Sequence, residues 1–374
     1  MDIRSTTVTS VIGEAGVNHT FLIRGSQAEM YDGYGEGRFF SEEDLRQCVY
    51  TALTATAHSA SERHATIYVG VPSGFTYTLT KTHKIAFSAA KRVSAGDVET
   101  LLETGFMGVE IAGYEKVHAS AMYYVTSDTR KVMDPIGMIS NTLQANISYS
   151  LVSTYFTQTI GRILTDYGFK KIIFVPSSYA QARYLLNESK RASGAVILDV
   201  GTTSSTMTAF YGDGILTEEE IPYGVGNILM ELMATFDWSY ERAFEELKRA
   251  NVYRRTTTEK YLFGDAGFIR PERSNEVIIS GLDRLSLPLS GFLSNCPPLF
   301  TESSLFVTGE GAVGMRGSLE HISRRCNKEA ELLVPNLPYY DKPSMSSRIA
   351  LLDYAIKNKK ADGIFRKLLN GFGG

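Results

Sequence analysis

The pattern that most constrains the fold lies in residues 195–211, where a strand of buried type runs into a polar turn and a second strand follows. Four apolar residues lead to Asp199, and Gly201 and a cluster of hydroxyls come next. Because a glycine lets the backbone approach a ligand closely, such a turn can aim several N–H and O–H donors at one spot, as phosphate-binding loops do. An isolated match of this kind is more commonly a hairpin with a polar tip.

The chain opens with a second strand–turn–strand of the same kind. Residues 2–12 alternate β-branched and polar side chains, which is typical of a hairpin strand. The tip Asp2–Val8 is led by an aspartate and is rich in hydroxyls, as is the tip Asp199–Ser205. Helices and further strands follow each hairpin, so the sequence predicts two similar halves. Two such tips that face each other across a cleft could hold one polyphosphate between them.

A block between the two hairpins has a pattern of its own. Its apolar spacing predicts two helices packed against a small sheet, which together form a compact α+β unit inserted into the first half. The predicted strands are Thr76–Phe87, Lys116–Val125 and Ile139–Val152, and the predicted helices are Ser94–Thr104 and Ser153–Tyr167. Three serines that precede helical patterns predict N-caps, namely Ser41, Ser94 and Ser239.

The order of elements predicts an α/β protein made of five parts. The parts are a first half (1–75 and 171–190), the inserted α+β subdomain (76–170), a second half (191–236 and 277–356), a small subdomain (237–276), and a C-terminal tail (357–374).

Composition limits the cellular compartment and the classes of binding partner that we expect. The length of 374 residues suggests two or three domains, and a net charge of −3 gives no sign of a nucleic-acid partner. Three widely spaced cysteines without a CxxC pair argue against zinc and against a disulfide framework, so we expect a reducing, cytoplasmic setting. The N-terminus lacks the apolar core of a signal peptide, and no apolar run reaches the ~20 residues of a spanning helix.

The tail has the pattern of a helix that lies in a membrane interface. A basic linker, Lys357–Asp362, precedes it. Apolar residues on one face and cations on the other predict binding to an anionic membrane surface, with about 1 kcal/mol from each basic residue. A helix docked on its own domain is the alternative. The tail helix is short, so a single copy should bind weakly and polymerisation would supply the avidity. The predicted membrane-binding residues are Ile364, Phe365, Arg366, Lys367, Leu368, Leu369 and Phe372.

The ordered set of motifs resembles the actin, Hsp70 and sugar-kinase ATPase fold, and within that fold it resembles the FtsA family of bacterial cell division proteins. The likeness covers nearly the whole chain. Beside the two hairpins, it rests on Met1–Glu14, Ile67–Pro72, Ser94–Val98, Ile221–Ile228 and the turn Thr308–Ala312.

The resemblance implies an actin-like (ribonuclease H-like) duplicated fold with an inserted subdomain, and ATP with magnesium as the cofactor. It implies a peripheral membrane adaptor that binds the FtsZ C-terminal tail, tethers division filaments to the cytoplasmic face of the membrane at the septum, and forms polymers with itself through the inserted subdomain. The cofactor-binding positions that it implies are Asp2, Ser5, Thr6, Asp199, Gly201, Thr202, Thr203, Gly224, Gly226, Glu245, Lys248, Gly309, Gly311 and Ala312.

The chain departs from the family pattern at the phosphate loops. Arg4 stands where the family has glycine, Thr202 and Thr203 replace two glycines, and Glu310 interrupts the adenosine loop. The changes at Arg4, Thr202 and Thr203 each add a side chain where the backbone should approach phosphate. These departures predict weakened or lost ATP binding and weak or absent ATPase activity. Arg4 has two possible roles, pairing with a phosphate or filling the site by pairing with Asp199.

Other functions remain open at this point. An active ATPase or small-molecule kinase on the same fold would use the two aspartate-led tips, and a pilus-assembly or other actin-like membrane adaptor would share the tail. Gly309, Gly311 and Gly314 also match a dinucleotide fingerprint, but Glu331, the acid at about the right distance, begins the next strand rather than ending it. The six histidines have no nucleophile elbow to serve, so no catalytic residue is predicted.

Overall fold

The computed structural model describes residues 1–16, 20–61, 64–253, 261–263, 267–269, 271–300, 302–312 and 315–370. Within these ranges the backbone alone is described for 261–263, 267–269, 271–272, 312 and 359–370.

The first part of the chain alternates strands and helices. In chain order its elements are β1 (Asp2–Ile3), β2 (Thr7–Ala15), β3 (Phe21–Met30), β4 (Tyr34–Gly35), β5 (Arg38–Phe39), α1 (Glu42–Ala60), β6 (Thr66–Val71), β7 (Thr76–Arg92), α2 (Ala95–Met107), β8 (Tyr114–Thr126), β9 (Lys131–Val132), β10 (Ile139–Ser153), α3 (Thr154–Tyr167), β11 (Lys171–Pro176), α4 (Ser177–Leu185) and α5 (Glu188–Ser193).

The second part begins at the strand that opens the second hairpin. Its elements are β12 (Ala195–Val200), β13 (Ser205–Tyr211), β14 (Gly214–Ile221), α6 (Val225–Phe236), α7 (Tyr240–Arg249), β15 (Tyr261–Phe263), β16 (Gly267–Ile269), α8 (Pro271–Asn295), β17 (Ser304–Thr308), α9 (Ser318–Cys326), β18 (Ala330–Leu332) and α10 (Ser346–Asn370).

Two five-stranded sheets with the same topology confirm the predicted duplication. The orders are β3-β2-β1-β6-β11 and β14-β13-β12-β17-β18. In each sheet the hairpin strands are antiparallel, and the two strands on the other side of the first strand are parallel to it. Crossover helices between parallel strands then cover the sheet faces, as this topology requires.

The pairing register shows which residues of the two tips are equivalent. Asp2 pairs with Thr9 across the first hairpin, and Asp199 pairs with Thr206 across the second, which is the same separation of seven residues. The two turns therefore have equal length, and Arg4 occupies in the first tip the place that Gly201 occupies in the second.

The first half buries its apolar side chains between its sheet and two helices. Ile3 and Val69 of the sheet share one core with Leu45 of α1 and Phe156 of α3. The sequence places α3 in the insert, but its apolar stripe packs into the first-half core instead. The inserted unit therefore has one helix against its sheet and ends with β10.

The inserted sheet has the order β7-β10-β8-β9. Helix α2 covers one face and contributes Leu101 to a core with Tyr149. The helix begins with a capping box in which the Ser94 side chain accepts from the Asp97 amide and the Asp97 carboxylate accepts from the Ser94 amide, as the sequence predicts.

A separate core joins α6, α7 and the first part of α8. Ile228, Leu232, Leu247 and Ile278 meet there and are almost fully buried. This core fixes the first turn of α6 beside the second hairpin tip.

Helix α10 spans both halves at its start. Ser346 exchanges a hydrogen bond of 2.7 Å with Thr308 of the second half, and Ser347 donates one of 2.7 Å to Asp2 of the first half. The sequence predicts that a helix ends near Ile356 and that a linker follows. The described backbone is one continuous helix to Asn370, so the predicted break at residues 357–362 is absent from it.

Candidate functional site

The two hairpin tips face each other and touch. β1 and β12 each deliver an aspartate and a hydroxyl-rich turn to the junction between the halves. The Thr203 amide donates to the Ser5 hydroxyl across this junction at 3.3 Å. The predicted juxtaposition is therefore present, and the tips are in direct contact rather than separated by a ligand-sized gap.

Arg4 crosses the junction and pairs with Asp199. Its Nη1 and Nη2 donate to the two carboxylate oxygens at 2.5 and 2.8 Å, and Gln181 of α4 donates to the same carboxylate at 2.8 Å. The side chains of Arg4 and Asp199 are 13% and 9% exposed. Of the two roles predicted for Arg4, the structure shows the pairing with Asp199.

The pair determines the protonation of both groups. Burial alone would raise the pKa of Asp199, but the Arg4 guanidinium and the Gln181 amide outweigh it and hold that pKa below its usual value. Burial would likewise lower the pKa of Arg4, and the carboxylate of Asp199 raises it instead. Both groups are therefore charged, and the two parallel N–H···O bonds form a bidentate ion pair.

Carboxylates predominate around this pair. Glu310 accepts from Thr202 at 3.1 Å, and Glu220 accepts from the Tyr34 hydroxyl at 2.9 Å. Glu218 accepts from the Thr76 hydroxyl at 2.5 Å. Of the described side chains, Arg4 is the cation that is hydrogen-bonded to a carboxylate of this group, which comprises Asp2, Asp199, Glu218, Glu220 and Glu310. The junction is therefore acidic, which opposes the binding of a polyanion.

The first amides of α6 are already engaged. In anion-binding sites the free N–H groups of a helix N-terminus point at the ligand. Here the Val225 amide donates to the Gly201 carbonyl at 3.0 Å, and the Gly226 amide donates to the Thr202 carbonyl at 2.7 Å. The second tip thus takes the donors that a phosphate would use.

Glycines hold these loops close together. Gly309 has a φ of +96°, and a Cβ there would collide with the Asp199 carboxylate. A Cβ on Gly224 would collide with the Gly201 carbonyl, and one on Gly311 would lie 2.5 Å from Val200 Cγ1. The predicted glycines therefore lie against the second tip, where they make room for protein atoms.

A cavity of about 30 Å³ remains beside the ion pair. That volume holds one or two water molecules, whereas pockets for ligands of nucleotide size are several hundred Å³. ATP with magnesium, the cofactor that the resemblance implies, does not fit this arrangement. The cavity is lined by Ile3, Arg4, Ser5, Tyr34, Pro72, Ser73, Ser177, Ser178, Gln181, Asp199, Gly201, Ser204 and Thr206.

Comparison with known proteins agrees with this fold. No family model matches the chain. The chain is 21% identical over 222 residues to cell division protein FtsA of Pseudomonas aeruginosa. This alignment covers 59% of the chain and 53% of that protein, so it spans about half of the relative's length.

Solved structures of the same fold match over nearly the whole chain. A PilM–PilN type IV pilus biogenesis complex superposes with a TM-score of 0.63 at 13% identity, covering 95% of this chain and 97% of the other. MreB5 of Spiroplasma citri bound to AMPPNP gives 0.54 at 10% identity, covering 92% and 82%. EutJ of Carboxydothermus hydrogenoformans gives 0.52 at 12%, covering 94% and 87%.

The chain has the actin-like fold, and part of its sequence is similar to that of FtsA.

Four of the predicted cofactor positions have other contacts, lie elsewhere or are described through their backbone alone. Glu245 and Lys248 form an ion pair of 3.1 Å on α7 with side chains 54% and 50% exposed, and neither lines the cavity. Thr6 contributes its carbonyl, which accepts from the Tyr31 amide at 3.1 Å. The backbone of Ala312 lies in a short 3₁₀ turn, Glu310–Ala312, after β17, and its side chain lies outside the described residues, as does Gly314.

Sequence reasoning missed several residues of the site. Gln181 is a polar residue on the buried face of α4, and a polar residue at such a position is a sequence signal for a site residue. Glu218 and Glu220 alternate along β14, so they lie on the same face of the strand. Tyr34 lies in the short strand β4, and the sequence does not reveal that this strand reaches the second half.

The tail residues are described through their backbone. Six of the predicted membrane-binding residues are helical within α10, and their side chains lie outside the described residues: Ile364, Phe365, Arg366, Lys367, Leu368 and Leu369. The seventh, Phe372, lies outside the described residues entirely. Of the residues that the structure describes, no helix combines the length and the apolar character needed to cross a membrane.

Proposed function

We propose that this FtsA-like protein is a peripheral membrane adaptor that links a cytoskeletal division filament of FtsZ type to the cytoplasmic face of the membrane. The protein would act as a scaffold and associate with itself through the inserted subdomain. Its phosphate loops are degenerate, and the work of the molecule is binding rather than catalysis.

The observation that carries this proposal is the combination of an FtsA-like fold with an amphipathic C-terminus. The sequence similarity to FtsA of Pseudomonas aeruginosa supports the division role. The apolar and basic faces of residues 364–372 support attachment to anionic lipid. The helical backbone of α10 up to Asn370 is the conformation that such a face requires.

Co-sedimentation with anionic vesicles tests the membrane role. We expect the full chain to pellet and a chain that ends at Ala361 to remain in solution. A double variant, Phe365→Ser with Leu368→Ser, removes apolar area without changing charge and should also stay in solution. Asn370→Ser on the polar face is the matched control and should pellet like the parent. Equal pelleting of the full and shortened chains would overturn the membrane assignment.

An open groove between α6 and α8 is a candidate surface for the division partner. It measures about 470 Å³ and is lined by Ala234, Thr235, Val277 and Ser280, with Glu231, Glu276 and Arg284 around them. It adjoins the small subdomain 237–276, of which residues 254–260, 264–266 and 270 lie outside the described residues.

Pull-down with an FtsZ C-terminal peptide tests this surface. Ala234→Arg places a long cation in the groove and should weaken capture at least tenfold. Ser294→Arg adds the same side chain to the exposed end of α8, outside the groove, and should leave capture unchanged. Capture that is equal for both variants would remove the groove from the proposal.

A pilus-assembly adaptor is the second candidate, and one observation favours it. The PilM–PilN complex matches 95% of this chain at a TM-score of 0.63, above the 0.54 and 0.52 of the other two neighbours described. Binding to a PilN-type protein, with no binding to the FtsZ peptide, would favour this role. The reverse result would favour the division role.

A further inference from the structure

We infer that Arg4 has replaced a nucleotide as the group that bridges the two halves of this actin-like fold, so that the cleft is closed by the chain itself and does not depend on ATP. The inference concerns the junction of the two tips. It holds whichever partner the adaptor binds, because none of its observations involves the tail or the groove between α6 and α8.

The duplicated tips provide an internal comparison. Equal register places Arg4 and Gly201 at the same position of the two turns. A glycine at both positions would leave open space between the tips. The arginine instead sends a long side chain out of the first tip and across to Asp199 of the second, at 2.5 and 2.8 Å.

The bridge has the features of a strong internal contact. The two N–H···O bonds are parallel and charge-assisted, and Gln181 fixes the same carboxylate from a third element. Both side chains are nearly buried. Removing one partner would leave a buried charge without its counter-ion, which is far more costly than losing an exposed ion pair.

Smaller contacts close the junction on either side of the ion pair. Ser73 of the first half and Thr206 of the second share a hydrogen bond of 2.6 Å. Tyr34 reaches Glu220 at 2.9 Å, and Ser347 of α10 reaches Asp2 at 2.7 Å. These contacts join side chains of the same chain, and none needs a ligand to complete it.

A polyphosphate has little space at this junction, and the helix amides that would bind it are taken. The cavity is about 30 Å³, and the first amides of α6 already donate to the second tip. Entry of a triphosphate would require breaking the bridge and placing the anion among the remaining carboxylates. The guanidinium therefore takes the place of the ligand and also excludes it.

Hydrogen exchange on the full chain tests the inference. The Thr203 amide, which donates to the Ser5 hydroxyl across the junction at 3.3 Å, reports closure of the junction. Arg4→Met keeps the aliphatic stem and removes the guanidinium, and we expect this amide to exchange at least tenfold faster than in the parent. Arg325→Met removes an exposed cation that pairs with Asp283 between α8 and α9, and it should leave that exchange unchanged.

Three results complete the test. Adding Mg-ATP to the parent should change neither the exchange nor the melting temperature. In a double-mutant cycle with Asp199→Asn, the double variant should be less destabilised than the sum of the single variants. If Arg4→Met does not fold, Arg4→Lys, which keeps the charge without the fork, should show the faster exchange. Unchanged exchange in the Arg4 variants, or protection of the Thr203 amide by Mg-ATP, would overturn the inference.

Discussion

At the scale of single residues, one position decides how the junction between the halves is filled. Arg4 and Gly201 are equivalent in the two tips, yet one carries a guanidinium and the other no side chain. The consequence is visible in the pKa of Asp199, which stays low despite burial because Arg4 neutralises it. A short polar turn thus becomes a buried ion pair through one substitution.

Glu218 is the contrasting carboxylate, since its described hydrogen-bond partners are the hydroxyls of Thr76 and Thr208 and not a cation. Burial raises its pKa, and the nearby Glu220 adds to the shift. The folded state therefore holds the Glu218 proton more tightly than the unfolded state, so this group lowers stability as the pH rises above its ordinary pKa of about 4.3. We predict that Glu218→Gln stabilises the protein at pH 7 and much less at pH 4, as measured by the melting temperature.

Glu219→Gln is the control for this prediction. Glu219 precedes Glu220 on β14, points to the other face of the strand and is exposed. The melting temperature of this variant should follow that of the parent at both pH values. A loss of stability in Glu218→Gln at pH 7 would show that the carboxylate is held charged.

At the scale of elements, the helix starts were the most predictable features. Ser41, Ser94 and Ser239 each accept a hydrogen bond from a first-turn amide, as the sequence predicts. The long strands of the insert were also predictable, and observed β7 is longer than predicted because its outer part continues to pair with β10. These signals are local, since a cap or an alternating strand is specified by neighbours in sequence.

Two helices show where local signals stop. The stripe of α3 was recognised as apolar, but the sequence does not state which sheet receives it, and the structure places it in the first-half core. The basic run at 357–360 was interpreted as a linker, yet lysines are good helix formers and α10 continues through it. For α3, tertiary packing decides which sheet the helix covers. For α10, the helix propensity of the lysines outweighs the polar character that predicts a linker.

The cap of α2 gives a prediction at this scale. Ser94→Ala removes both the hydroxyl acceptor and one contact of Asp97, and should lower the unfolding free energy of the insert by about 1 kcal/mol. Urea unfolding followed by hydrogen exchange in α2 measures the loss. Thr100→Ala removes an exposed hydroxyl from the same helix and should change stability by less than about 0.5 kcal/mol.

The contact between the insert and α4 gives a second prediction at the scale of elements. His118 of β8 lies with its ring centroid 4.0 Å from that of Tyr179, and its buried Nε2 makes no hydrogen bond with a described residue. Burial, and then the charge of Arg183, lower the pKa of His118 to about 4. The unfolded state therefore takes up this proton first, so stability falls as the pH drops from about 6.5 toward 4.

His118→Phe keeps the ring and removes the titration. We expect the slope of unfolding free energy against pH to decrease over that interval, a difference on the order of 1 kcal/mol at pH 5. His58→Phe on the exposed face of α1 is the control and should keep the slope of the parent. An unchanged slope in His118→Phe would mean that His118 is not held neutral in the folded protein.

At the scale of the whole molecule, the sequence predicts that the chain has two similar halves, but it does not predict that the junction between them is closed. Two aspartate-led hairpins identified two halves, and the halves have the same sheet topology. The sequence also showed that Arg4, Thr202 and Glu310 interrupt the expected loops. It left two partners open for Arg4, since which one is used depends on how closely the halves approach. Gln181, Tyr34 and Ser347 close the junction from distant segments that no local pattern connects.

The molecule therefore has the actin-like fold, and its own side chains fill the junction between the two halves. This closure suits the proposed role of an adaptor, because the shape and the binding surfaces of the protein would not vary with the nucleotide supply. An active ATPase or kinase, the alternative that the fold alone permits, would need the junction to open and a site for magnesium among the same carboxylates.

Titration calorimetry of the full chain with Mg-ATP shows whether the closed junction admits a nucleotide. We expect no binding heat for the parent protein at ATP concentrations up to about 1 mM, a limit that corresponds to a binding free energy weaker than about −4 kcal/mol. A saturable heat with a dissociation constant in the micromolar range would contradict it, because it would show that the junction opens and that Arg4 yields its place to phosphate.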